Sequence, residues 1–429
     1  MHASARMHLA PLFRSSVVVV SVLFVACAAP TGGGHQEGDR RAVVDEAITS
    51  EAAQILDFRF PAEVVASSDA DARKAILSQL MYTQGQLTTG YKANGQVGNV
   101  RLSDIRETSG NGTKRIRYTA AMPVAWPKDR GAPNRFELVL PLDMTRTDDF
   151  NAKYDGKCGH HEWDSSTFWH DWNPAADGCS IDEPDVTRAP VSVGPSARAT
   201  GSKYPEYDLM WADGKLRAVA LFGIITKNDH GDWGYTGAKS FAERVTRQLY
   251  GARMKRNAAT SSILSDVTIT GRAAHGDVQV DVILVRDLAS LDGDFDARYD
   301  GLSEDADLIL YNGHAGLGRN VNAFANEGRV AAGKYQLVLM NGCQTFAYLD
   351  STLTDRRRDA NGGADPNGTR YLDVMANALP GYANNLANMS ADVFSAVVSA
   401  DQSYSEILGR MPSSHVVVVF GEEDNRYSP

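Results

Sequence analysis

Near-continuous apolar runs alternate with amphipathic stretches from about residue 206 onward. LRAVALFGII reads as a buried strand, and GYTGAKSFAERVTRQLYG follows it as a helix with glycine at its end. VTIT and VQVDVILV are short strands. ADLILYNG, NVNAFANEGRVAAG and YQLVLMNG then read as strand, helical turn and strand. Residues 370–408 read as mostly helical, and HVVVVF as a last strand. Strands that do not alternate polar with apolar residues are buried on both faces. The pattern therefore predicts an α/β fold with a mostly parallel sheet between helices in residues 206–429.

Residues 43–205 have a different rhythm. Residues 70–84 (ADARKAILSQLMYTQ) carry the spacing of an amphipathic helix. RLSDIRE, KRIRYTAAMPVAW and NRFELVLPLDM are strand-like runs separated by Gly, Asn and Pro turns. A helix followed by a meander predicts a smaller α+β domain. Residues 183–205, with several Pro, Gly and Ser, read as a linker to the second domain. Two domains also suit a chain of 429 residues.

Charge and the first residues decide the compartment. The formal net charge is −10 and no basic stripe is present, which argues against nucleic acid as a partner. Arg6, His8 and Arg14 precede the run SVVVVSVLFVA, which is too short for a span of about 20 residues. Cys27 follows directly. This segment resembles a bacterial lipoprotein signal, with Phe24 where Leu is usual. The resemblance implies removal of residues 1–26 and a lipid on Cys27. Residues 27–42 then form a flexible tether. An ordinary secretory signal is the alternative. Either way the mature protein is expected to leave the cytosol, and the lipid-anchored reading places it in the cell envelope. With Ala28 after the lipidated cysteine, the outer membrane is favoured over the inner.

The compartment gives the 4 cysteines meaning. With Cys27 lipidated, Cys158 and Cys179 are read as a disulfide around CGHHEWDSSTFWHDWNPAADGC. Zinc held by these cysteines with His160, His161 and His170 is the other reading, but the spacing fits no standard zinc module, so no metal is assigned. Cys343 is left over, and an odd thiol outside the cytosol is a candidate for reactivity.

Two strands end in the same way. LILYNGHAG and LVLMNGCQT each finish on Asn-Gly and then present His314 and Cys343, 29 residues apart. That separation allows a helical crossover between parallel neighbours, and ligands of open α/β sheets bind beyond the strands' carboxyl ends. A thiol beside an imidazole makes a cysteine nucleophile with a general acid/base. The backbone N–H groups of Cys343 and of Gly316 or Ala315 are expected to receive an oxyanion. His230, in TKNDHGDWG, is expected at the same rim, with Asp229 and Asp232 either shaping a pocket for a basic side chain or lying in a solvated loop. No cofactor is required. The oxygen-rich stretch DANGGADPNG at 359–368 lacks an EF-hand ligand at Gly363 and reads as a turn-rich surface loop, with calcium binding as the alternative.

A strand ending in His followed by a strand ending in Cys resembles the caspase–gingipain–legumain clan of cysteine peptidases. NGHAGLG and NGCQTFAY also look like segments of bacterial lipoproteins with gingipain-like domains. The resemblance covers roughly residues 215–420 and is strongest across 306–348. It departs from the clan at Ala315, where Gly usually follows the His, and at Gly342, where Ala often precedes the Cys. It implies a caspase-like sandwich, with Cys343 as nucleophile and His314 as general acid/base hydrolysing a peptide or protein substrate. A non-catalytic envelope binding protein with the same fold, and a thiol-acyl transferase using the same pair, are the alternatives.

Overall fold

Five parallel strands form the heart of a nine-stranded mixed sheet. In spatial order they are Gly276–Val285, Lys215–Gly223, Leu308–Asn312, Gln336–Asn341 and Leu372–Asn377. Antiparallel strands complete the edges: Ile263–Ala273 and Tyr250–Arg256 on one side, Val417–Phe420 and Ile48–Thr49 on the other. The computed structural model describes residues 48–197, 203–226, 230–381, 383–412 and 415–429. The signal segment 1–26, Cys27, the tether 27–42 and Asp229 lie outside the described residues.

Successive residues of a strand point to opposite faces, so each central strand feeds two cores. Leu308, Leu310, Leu337 and Leu339 enter a core shared with the helices Trp233–Gln248 and Leu386–Ser399. Ile309, Tyr311, Val338 and Met340 enter another, shared with Gly293–Asp305, Arg319–Asn326 and Thr352–Asn361. Burying a large apolar side chain contributes roughly 1.5–3 kcal/mol. With both faces covered, a polar residue is costly inside Leu308–Asn312 and Gln336–Asn341, which is why these two read as apolar runs with amides only at their ends.

The earlier residues build a curled antiparallel sheet. Its order is Asn94–Gly95, Thr113–Pro127, Ala53–Ser67, Val186–Pro195 and Phe136–Pro141, with Arg101–Gly110 also paired to Thr113–Pro127. The helices Ala72–Leu80 and Tyr82–Tyr91 contribute to its core, where Phe58, Leu80, Trp126 and Trp172 are buried. Both sheets lie within one contact unit, Val43–Pro429. Ala53, Ile55 and Ala125 of the curled sheet pack into the second core of the large one.

Three readings change. Residues 183–205 do not form a simple linker, because Val186–Pro195 is a strand between Ala53–Ser67 and Phe136–Pro141. Its prolines suggested a break, but Val186, Ala189 and Val191 are buried in the sheet's core. Residues 370–408 are not helical throughout, because Leu372–Asn377 is a fully buried parallel strand. The large sheet is mixed, because four antiparallel strands close its edges.

Asp373 ties the far end of this sheet to the C-terminus. Its buried carboxylate accepts from the hydroxyls of Tyr335 (2.6 Å) and Tyr404 (2.5 Å) and from Nδ2 of Asn425 (2.5 Å). Burial pushes its carboxyl up to about 7, although the three hydrogen bonds pull the other way. A folded-state value above the unfolded one means that the native state holds a proton the unfolded chain has lost. The stabilisation is therefore complete below about pH 4 and is lost as pH rises toward 7. Urea unfolding between pH 5 and pH 8 is expected to show stability falling with pH. Asp373→Asn removes up to about 1.4 kcal/mol per pH unit from that slope.

Candidate active site

The strands Leu308–Asn312 and Gln336–Asn341 are adjacent, parallel and in register, with Asn312 opposite Asn341. His314 and Cys343 each stand two residues past that pair, so both leave the sheet at the same end. A buried ladder of amides locks this end. Asn341 Nδ2 donates to Asn312 Oδ1 (2.9 Å), and Asn377 Nδ2 donates to Asn341 Oδ1 (3.1 Å) and to the Gly342 carbonyl (3.0 Å). Ser390 Oγ donates to Asn312 Oδ1 (2.7 Å). The glycine after each asparagine is required by space. A Cβ on Gly342 would lie 2.7 Å from the Gly313 carbonyl oxygen, and one on Gly313 would lie 2.8 Å from the Tyr311 hydroxyl.

Strand order reverses at Lys215–Gly223. The next parallel strand in the chain, Gly276–Val285, lies on one side of it, and the following one, Leu308–Asn312, on the other. The crevice beyond such a reversal is where open α/β sheets bind ligands. His314 spans it, its Nε2 lying 2.6 Å from the carbonyl oxygen of Ile225, just past the reversal strand. A carbonyl only accepts, so Nε2 carries the proton and the neutral ring's Nδ1 is the basic atom. The His314 carbonyl is held by the Tyr311 hydroxyl (2.5 Å) and by Asn320 Nδ2 (3.0 Å). Ring and backbone are thus fixed independently.

Cys343 is partly buried, and its thiol points to the Gly381 carbonyl, 3.6 Å away. It is not hydrogen-bonded to His314 in this arrangement. Burial pushes the thiol up, the Gly381 contact lowers it and the charge of Glu162 adds to the rise. The resting side chain is therefore a neutral thiol. The N–H groups of Cys343 and Gly316 donate to no other group among the described residues. Gly316 adopts φ +62°, Leu317 φ +50° and Gly318 φ +95°, so the loop after His314 turns back sharply. Ala315 is buried, and its carbonyl accepts from Gly318 and Asn320 to hold that turn.

Asp232 takes the structural role of a helix cap. It is 1% exposed and begins the helix Trp233–Gln248 by accepting from the N–H of Gly234 (2.7 Å). Its carboxylate also accepts from the N–H groups of Ile225 (3.0 Å) and Thr226 (2.7 Å). It is neither a pocket wall nor part of a solvated loop; it sets the segment whose carbonyl holds His314. His230 is exposed and packs its ring on Tyr235 at 4.9 Å between centroids.

Cys158 and Cys179 form the disulfide. Among the described residues, the one group of three side chains able to converge on a metal is Glu162, His170 and Asp171, with donor atoms within 4.8 Å of one another. Within 359–368 two side chains accept backbone hydrogen bonds, while Asp365 Oδ2 is buried without a hydrogen-bond partner among the described residues. Asn361 Oδ1 accepts from the Gly333 N–H (2.6 Å), and Asp365 Oδ1 from the Gly368 N–H (2.8 Å). No described helix is long and apolar enough to cross a membrane.

The neutral thiol predicts a pH profile. Alkylation of Cys343 by iodoacetamide is expected to climb steadily from pH 7 to pH 9. A plateau below pH 8, read by mass mapping, would instead reveal a preformed thiolate. Asp232→Ala is expected to cost about 1–2 kcal/mol in thermal unfolding, the range for a lost N-cap.

No family model, no curated protein and no solved structure matches this chain in sequence or fold comparison.

Proposed function

We propose that this chain is a cysteine peptidase of the caspase–gingipain–legumain type, held in the bacterial cell envelope by a lipid on Cys27. The observation that carries the proposal is the register. Two adjacent parallel strands end in Asn-Gly-His and Asn-Gly-Cys at the crevice where strand order reverses. The three-layer arrangement around the large sheet suits a caspase-like sandwich, with the curled sheet as an added domain.

The chemistry starts from a neutral thiol. A peptide carbonyl enters the crevice, and Cys343 turns from Gly381 toward it. His314 Nδ1 takes the thiol proton as Sγ bonds to the carbonyl carbon. The N–H groups of Cys343 and Gly316 receive the oxyanion. His314 returns the proton to the leaving amine as the C–N bond breaks, and water then hydrolyses the acyl-thioester with His314 as base. The Ile225 carbonyl stabilises the imidazolium that forms. No cofactor takes part, and the substrate is a peptide or protein outside the cytosol.

One observation favours the binding-protein reading. The thiol is satisfied by Gly381 and the imidazole by Ile225, so neither depends on the other at rest. Hydrolysis of a peptide library decides between the two. Cys343→Ala and His314→Ala are each expected to lower turnover by at least roughly 10²-fold while circular dichroism stays unchanged. Absence of hydrolysis by the wild-type chain would leave the binding protein. Transfer to an added amine in preference to water would make the chain an acyl transferase.

A further inference from the structure

We infer that His170, carried on the disulfide loop, is a positioning residue for Cys343 and acts on it through Gln344. The inference rests on Cys343 being the nucleophile proposed above.

Gln344 directly follows Cys343 and sits at φ +54°, ψ +30°, a left-handed conformation that side-chain-bearing residues adopt at a cost. It is 2% exposed, so its amide is also taken out of water. Both costs need partners. The Gln344 N–H donates to the Leu379 carbonyl (3.2 Å), and its side-chain Nε2 donates to Thr88 Oγ1 (2.8 Å). The remaining amide atom, Oε1, lies 2.8 Å from His170 Nε2. Because Oε1 only accepts, His170 is the donor whether its ring is neutral or charged.

Two of these three bonds come from the first half of the chain. Thr88 lies on the helix Tyr82–Tyr91, and His170 ends the turn Ser165–His170 inside the loop closed by Cys158 and Cys179. The loop is anchored beside His170. Trp172 is buried with its Nε1 donating to the Val139 carbonyl (2.8 Å), and the Trp169 ring meets Tyr348 at 6.3 Å between centroids. Apolar packing alone would hold the loop against Tyr348, and a buried amide would then be a burden. The bond to His170 is what the amide adds. It fixes the backbone turn after Cys343, and with it the direction of the Cys343 side chain and N–H. His170 makes no hydrogen bond to the thiol or to its acceptor, so its effect passes through Gln344.

A double-mutant cycle on the full-length protein tests this. The second-order rate of Cys343 alkylation by iodoacetamide is measured for wild type, His170→Ala, Gln344→Ala and the double variant. Each single variant is expected to alkylate roughly fivefold more slowly, and the double variant no more slowly than the worse single. His170→Gln, which can still donate, is expected to recover most of the rate. In peptide hydrolysis, kcat falls and KM holds. An unchanged or faster rate in His170→Ala overturns the inference, since the contact then merely covers the thiol. Effects that multiply in the double variant overturn it too. Coupled alkylation in a protein that hydrolyses nothing would keep the positioning and remove the peptidase. Hydrolysis without coupling would remove only the positioning.

Discussion

The side-chain amide of Asn341 sits between those of Asn312 and Asn377, and the presentation of the loops bearing His314 and Cys343 depends on this contact. Asn341 receives one hydrogen bond and donates to Asn312, with a further donation to the Leu386 carbonyl at 3.3 Å. Each bond adds only about 1 kcal/mol net, but a buried amide left unpaired costs about 1–3 kcal/mol. A one-residue slip between the strands would break the ladder and send each apolar side chain to the wrong core. The ladder thus turns a general tendency to pair into one register. The outer atoms, Asn312 Nδ2 and Asn377 Oδ1, have no partner among the described residues. The chain tolerates that cost at the level of the sheet where His314 and Cys343 emerge.

The local field points to one way of making a nucleophile. Activated cysteines often sit beside a cation or a helix N-terminus that stabilises the thiolate. Around Cys343 burial raises the thiol most, the contact with the Gly381 carbonyl opposes it, and the carboxylate of Glu162 adds a smaller rise. His314 in turn is held by a neutral carbonyl, not a carboxylate. In the proposed peptidase, proton transfer to His314 would be coupled to attack by Cys343.

Much of this was legible in the chain. The repeated strand-then-Asn-Gly wording is enough to place His314 and Cys343 at one sheet end. The same wording, without the glycine, occurs in LDVMAN, yet Asn377 escaped notice because the run lies in an otherwise helical stretch. Only its neighbours make it a strand, since six residues of mixed propensity are settled by pairing. Asp232 was visible but misassigned. An aspartate just before a helical pattern is a cap signal, a third reading beside the pocket and the solvated loop. Ile225 was not legible at all, because a backbone carbonyl leaves no trace in residue identity. The pairing of His170 with Gln344 spans 174 residues, and no local pattern encodes such a contact.

The glutamine after Cys343 shows how the two halves are made interdependent. If the turn needed only a left-handed residue, glycine would supply it without strain, as it does at Gly316 and Gly318 in the loop after His314. A non-glycine residue in that region costs about 1–2 kcal/mol and persists only where surrounding contacts over-determine it. Here those contacts lie on the helix bearing Thr88 and the loop bearing His170. The approach is close elsewhere too, since a Cβ on Gly98 would fall 2.4 Å from the Leu349 carbonyl oxygen. The large sheet already borrows its outermost strand, Ile48–Thr49, from the first half. The turn that aims the cysteine is stable only once the first half is folded against it.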